Sequence, residues 1–178
     1  MNMKNRTLLL AFMLLFMVAS CSRKKDSDTI ITKIQAPKVS KEIKTVGNGK
    51  DSRSFQWGNA TCDAVVTVTA DKSLPVVKDD DGNRYYDNGI EVVVKDAGHE
   101  VFRHVFHKKD FSSYVDAGYL KPSKSALTSI VFSGVEGGNA VFVATVGSPD
   151  TMADEYMLVG INVSKDGGMS MSQIHETE

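Results

Sequence analysis

The sequence predicts a mainly β fold, an antiparallel sandwich or meandering barrel of about seven or eight strands with one short helix. Three observations carry this. From Phe55 onward, apolar residues recur at every second position in short runs. Turn-forming clusters of Gly, Asp and Asn separate these runs at intervals of about ten residues, as expected for sequential hairpins. No helical segments alternate with the runs, so nothing supplies the crossovers of a parallel sheet.

The first residues read as an export signal covering 1–20. Lys4 and Arg6 form a positive n-region, Leu8 to Val18 is an unbroken apolar run, and the small residues Ala19 and Ser20 precede Cys21. The run is about eleven residues long, short of the roughly 20 that span a hydrocarbon core. Val18-Ala19-Ser20-Cys21 resembles the lipobox of bacterial lipoproteins. That resemblance implies that Cys21 receives a diacylglycerol, becomes the first mature residue and anchors the protein by lipid, with no transmembrane helix needed. A plain secretory signal is the competing reading. In many Gram-negative lipoproteins an Asp after the cysteine marks inner-membrane retention; Ser22 stands there, which implies the outer membrane. Surface-exported lipoproteins of Bacteroidales-type bacteria tend to carry an acidic cluster next, where this chain has Arg23, Lys24 and Lys25. The departure favours the periplasmic face.

Residues 21–54 then read as the lipidated cysteine and a flexible basic tether. Residues 22–54 hold nine bases and four acids (+5), with Pro37, Gly47-Asn48-Gly49 and no sustained apolar period. Ile30, Ile31, Ile34 and Val39 are the only candidates for a short strand in it. Residues 55–178, the β domain, hold ten bases and eighteen acids (−8). That balance argues against nucleic acid as a partner.

Within the domain the first strand is Cys62 to Ala70, with Cys62, Ala64, Val66, Val68 and Ala70 on one face. A short extended piece, Leu74 to Val77, follows, and then an acidic turn. Strands are expected at Ile90 to Lys95 and Glu100 to Phe106 around the turn Asp96-Ala97-Gly98, at Leu127 to Phe132, and at Ala140 to Val146 after Glu136-Gly137-Gly138-Asn139. Tyr156 to Val163 and Met169 to Ile174 complete the set, joined through Lys165-Asp166-Gly167-Gly168. The helix is expected over Phe111 to Ala117, with Asp110 as N-cap, Phe111, Tyr114 and Val115 on one face, and Gly118 and Pro122 ending it.

Chemistry-bearing patterns are sparse. Cys62, left without a partner if Cys21 is a thioether, sits on an apolar strand face and reads as a core residue. Asp79, Asp81, Asn83 and Asp87 form the densest group of hard oxygen donors and are the side chains for a calcium site. Aligning Gly82 with the EF-hand glycine puts Val77 and Asn88 at the end positions, where acids belong, so a solvated acidic turn is the simpler reading. His99, His104, His107 and His175 lack the spacing of a metal array. No cofactor fingerprint and no nucleophile motif is present. Trp57 and Tyr85-Tyr86 are candidates for ligand stacking, against ordinary packing.

The stretch from Ser73-Leu74-Pro75-Val76-Val77-Lys78 through Asp79-Asp80-Asp81-Gly82-Asn83 to Arg84-Tyr85-Tyr86-Asp87-Asn88 resembles small Bacteroidales lipoproteins classed as a domain of unknown function. The likeness continues through Phe106 to Tyr114 and Asp154-Glu155-Tyr156 to Lys165-Asp166-Gly167. It implies no activity, ligand or catalytic residue. The expectation is therefore an outer-membrane lipoprotein acting as a binding or accessory module toward a ligand or envelope protein. A hydrolase using a carboxylate pair is the alternative, and a structural envelope protein the third.

Overall fold

A computed structural model describes residues 39–150 and 152–174. Cys21, the signal segment, Ile30, Ile31, Ile34 and His175 lie outside them. Eleven strands follow in order: β1 Ile43–Thr45, β2 Gly49–Trp57, β3 Ala60–Ala70, β4 Val77–Lys78, β5 Arg84–Tyr86, β6 Asn88–Asp96, β7 His99–Phe106, β8 Ala126–Glu136, β9 Asn139–Gly147, β10 Tyr156–Val163 and β11 Met169–Ile174. The fold is mainly β, as the alternation requires. The count of seven or eight strands is corrected to eleven, arranged in three sheets. Two are four-stranded and antiparallel, ordered β2-β3-β6-β7 and β11-β10-β9-β8; each ends on free edges, so neither closes into a barrel. The third is small, ordered β1-β5-β4, with β1 parallel and β4 antiparallel to β5.

The two large sheets share one core. Cys62, Ala64, Val66, Ile90, Val92 and Val94 of the first meet Leu127, Ile130, Phe142, Ala144, Val159 and Ile161 of the second in a single buried cluster. Alternation selects these residues: inward positions are aliphatic or aromatic, and each such burial contributes about 1.5–3 kcal/mol. Fully covered aromatics (Phe106, Phe111, Phe142) fill its middle. The Asp96-Ala97-Gly98 turn is a two-residue hairpin in which both Ala97 (φ 47°) and Gly98 (φ 84°) are left-handed, the backbone of a type I′ turn.

One end of the domain is tied across the sheets by the β10–β11 connection. Lys165 Nζ donates to Trp57 O (2.7 Å), Trp57 Nε1 donates to Gly138 O (2.7 Å), and a Cβ on Gly167 would lie 2.7 Å from Val101 O. Trp57 is thus a packing residue, 2% exposed, under the Lys165 ammonium.

Three further expectations are corrected. The β domain starts well before residue 55: β1 and most of β2 lie in the stretch 21–54 that reads as a tether. β2 pairs with β3 along its whole length but is exposed on both faces from Gly49 to Ser54, so no apolar period marks it. Val39 is in no strand and is exposed. The extended piece at Leu74 to Val77 yields only Val77–Lys78 as strand.

The helix over Phe111 to Ala117 is replaced by a 3₁₀ turn, Lys108–Phe111, followed by turns. Asp110 is not its cap. It sits inside the turn, its carboxylate accepting from His107 N (2.8 Å), and His107 holds the N-cap position. Asp116 accepts from Gly118 N through its side chain (2.7 Å), offering that amide an alternative to helix, and its carbonyl closes a single α-type turn with Leu120 N (2.8 Å). The expected apolar face survives nonetheless, with Phe111 buried and Tyr114 and Val115 packed against the core.

Candidate functional site

At the other end of the domain, a cavity of about 590 Å³ lies where the large sheets meet the irregular segments. Its walls come from three stretches: Leu74-Pro75-Val76-Val77; the 3₁₀ turn with Ser112 and Val115; and Ala117, Leu120, Pro122 and Ser123. Val146 at the end of β9 and Asp87 at the start of β6 supply the floor. Pro75 and Pro122 lock φ and remove a donor, so the first stretch joins a sheet only at Val77 and the other at none. Both are held by backbone instead, Lys78 N donating to Ser123 O (3.0 Å). The Asp71 turn leading into the first stretch is fixed by Ser73, whose amide and hydroxyl both donate to the Asp71 carboxylate (2.8 and 2.6 Å). Those bonds hold Asp71 below the usual carboxylate range.

The charged groups at this floor form a closed knot. Asp87, almost fully buried, accepts through Oδ1 from Leu127 N and Asn88 N (2.9 Å each) and pairs through Oδ2 with Lys108 Nζ at 3.0 Å. Lys108 Nζ also donates to Pro122 O (2.8 Å) and to Ser125 O. One ammonium therefore joins the 3₁₀ turn, the following loop and the first residues of β6. Asn88 reinforces it by donating from Nδ2 to Leu127 O (2.8 Å). His107 faces Asp71, Nε2 to Oδ2 at 3.6 Å. Lys109, by contrast, has no anionic partner among the described residues.

The four donors considered for calcium fall into separate arrangements. Asp79 is buried and saturated: Asn83 N (2.7 Å) donates to Oδ1, while Asn83 Nδ2 (2.8 Å) and the Tyr85 hydroxyl (2.9 Å) donate to Oδ2. Burial pushes this carboxyl up, but the bonds from Asn83 and Tyr85 outweigh it and leave it below its ordinary value. The same contact, together with burial, pushes the Tyr85 hydroxyl up to about 12. Asp87 is committed to Lys108 as described, Asp81 is exposed, and Asn83 Oδ1 accepts from Ser40 N (3.2 Å). Among the described residues no group of three or more His, Cys, Asp or Glu side chains is placed to hold a metal ion. The acidic stretch thus ties β4 to β5, with Asp80 ion-paired to Lys124.

Other singled-out residues are dispersed. Cys62 is fully buried, and burial and then the Asp96 charge push its thiol up, away from the reactive thiolate. His104 packs its ring against Phe106 (4.5 Å between centroids), and His99 opens β7, exposed. Tyr85 points in and Tyr86 is half-buried, as alternation along β5 requires. Lys108 carries no sequence signal, because Lys108-Lys109-Asp110 reads as an ordinary charged turn.

Fold and site together define a mainly β domain of two large antiparallel sheets and one small mixed sheet, with an apolar end cavity built on an internal ion pair. The chain belongs to the family described as domain of unknown function DUF4738, whose model matches residues 28–171. No curated protein matches the sequence at a significant level.

Proposed function

We propose that the protein is an outer-membrane lipoprotein whose β domain binds a small apolar ligand in the end cavity. The cavity carries this reading. Its volume lies inside the range of about 300–1,000 Å³ for small-molecule sites, and its walls are aliphatic with few polar groups, the usual make-up of such sites. Its charged floor is internally neutralised, which removes the main desolvation cost of seating an apolar body there. The lipobox-like Val18-Ala19-Ser20-Cys21 and the basic stretch after it support an anchored location at the periplasmic face.

Titrating the full chain with the neutral fluorophore N-phenyl-1-naphthylamine tests the ligand reading. Saturable one-to-one binding is expected, weakened in Val115→Trp, which obstructs the cavity. No saturable binding to the native protein overturns it. For the anchor, Cys21→Ala is expected to move the protein from the membrane to the soluble fraction of expressing cells; retention in the membrane fraction refutes lipidation.

A further inference from the structure

The polar groups lining the cavity divide sharply into those already used and those not. Asp87 and Lys108 neutralise each other, and Lys108 is further occupied by two carbonyls. His107 faces Asp71. Ser125 lines it too but is buried, and what remains at the exposed rim is Lys109 and the hydroxyl groups of Ser112 and Ser123, which also line the cavity. Among the described residues none of these three side chains has a hydrogen-bond or ion-pair partner. Lys109 and Ser112 are joined by the bond from Ser112 N to Lys109 O (3.2 Å) and stand three residues apart in a 3₁₀ turn. Ser112 is the C-cap of that turn, and at a spacing of i and i+3 the two side chains leave the backbone on the same face. The only acid among the lining residues is Asp87, which is neutralised within the floor.

We propose that the ligand is a single-chain amphiphile with an anionic head, its hydrocarbon tail in the cavity and its head against Lys109 and Ser112. This rests on the reading of the cavity as a ligand site. The walls take the tail because they are aliphatic, and the rim takes an anion because its one unmatched charge is positive. A bare hydrocarbon leaves the three rim donors to water, and a cationic head meets Lys109 with like charge. A carboxylate and a phosphate monoester both satisfy this chemistry, the first from a free fatty acid, the second from a lysophospholipid-type head.

The test is calorimetric titration of the full chain at low ionic strength with decanoate, monodecyl phosphate and decanol. Both anions are expected to bind at least threefold tighter than decanol, the scale of one exposed charge pair. The margin is expected to shrink with added salt. Lys109→Glu, at an exposed position, is expected to remove the margin while leaving decanol binding unchanged. Shortening the tail is expected to weaken all ligands about fourfold per methylene. The tighter of the two anions identifies the head. Equal binding of decanol and the anions, or an equal loss for all three in Lys109→Glu, overturns the anionic head while leaving the apolar site standing. Failure of all three ligands to bind the folded native chain overturns the site itself; where they bind, Val76→Asp, a change at an exposed position, is expected to weaken all three with the melting temperature retained.

Discussion

Asp79 and Asp87 belong to one short stretch of chain and are buried to a similar degree, yet they are satisfied in opposite ways. Asp79 takes three hydrogen bonds, all from neutral donors on its own hairpin, Asn83 and Tyr85. Asp87 takes two backbone amides and a full positive charge from a distant turn, Lys108. The first arrangement is local and shapes one turn. The second joins β6, β8 and the 3₁₀ turn, so its loss is felt across three segments. A buried anion needs compensation either way, but only the charge-paired one creates a partner that is itself costly to strand.

The largest effect is therefore expected from Asp87→Ala. It leaves Leu127 N and Asn88 N without their acceptor and Lys108 without its counter-charge. A loss of about 3–5 kcal/mol in denaturant unfolding is expected, a large part of the 5–15 kcal/mol typical of a domain. Lys108→Met is expected to cost about 2–3 kcal/mol, since Lys108 retains some solvent access. The double variant Asp87→Ala/Lys108→Met is expected to cost clearly less than the sum of the two, which additive losses would contradict.

Asp79→Ala comes next, at about 2 kcal/mol, because the Asn83 and Tyr85 donors lose their acceptor. Its acid dependence sharpens the contrast. Because the folded Asp79 carboxyl lies below its ordinary value, its contribution is present above about pH 4 and fades as pH falls through the folded value. Asp79→Asn should flatten that acid limb. Tyr85→Phe follows at about 1 kcal/mol for one hydrogen bond. The Tyr85 hydroxyl is raised from 10 to about 12, so its contribution is full below pH 10 and drains away as pH climbs toward 12. The variant is expected to lose that alkaline decline in its melting temperature, and an unchanged decline would exclude Tyr85 as its source. The smallest effect lies outside both knots. Ala97→Asn suits the left-handed backbone of its hairpin and is expected to stabilise by about 0.5–1 kcal/mol.

Strands whose inward positions are apolar were legible: β10 and β11 have the expected ends, and β3, β6, β7, β8 and β9 differ only at their margins. β2 was hidden because its pairing is a property of backbone, and its polar faces leave no period to read. The expected helix fails at Asp116, whose side chain takes the Gly118 amide that a continuing helix would bond to Tyr114 O; Asp110 lies inside the 3₁₀ turn and closes its capping box instead. At the site, Asp79 and Asp87 stood out as oxygen donors, but sequence could not assign their partners. Tyr85 and Asn83 are near neighbours of Asp79, whereas Lys108 reaches Asp87 only through the folded path of β6 and β7. The cavity was illegible for the same reason, being made of segments that meet only in space.

The tie between Lys165, Trp57 and Gly138 at the opposite end from the cavity has a further meaning. It acts like the spine of a book. The covers are fastened there, where Gly167 lies too close to Val101 to admit any side chain; at the fore-edge the bonds of Asp87 and Asn88 to Leu127 hold β6 to β8, and the irregular segments that line the cavity lie outside both large sheets. Amide protons near the spine should be the last to exchange with solvent, and those lining the fore-edge the first.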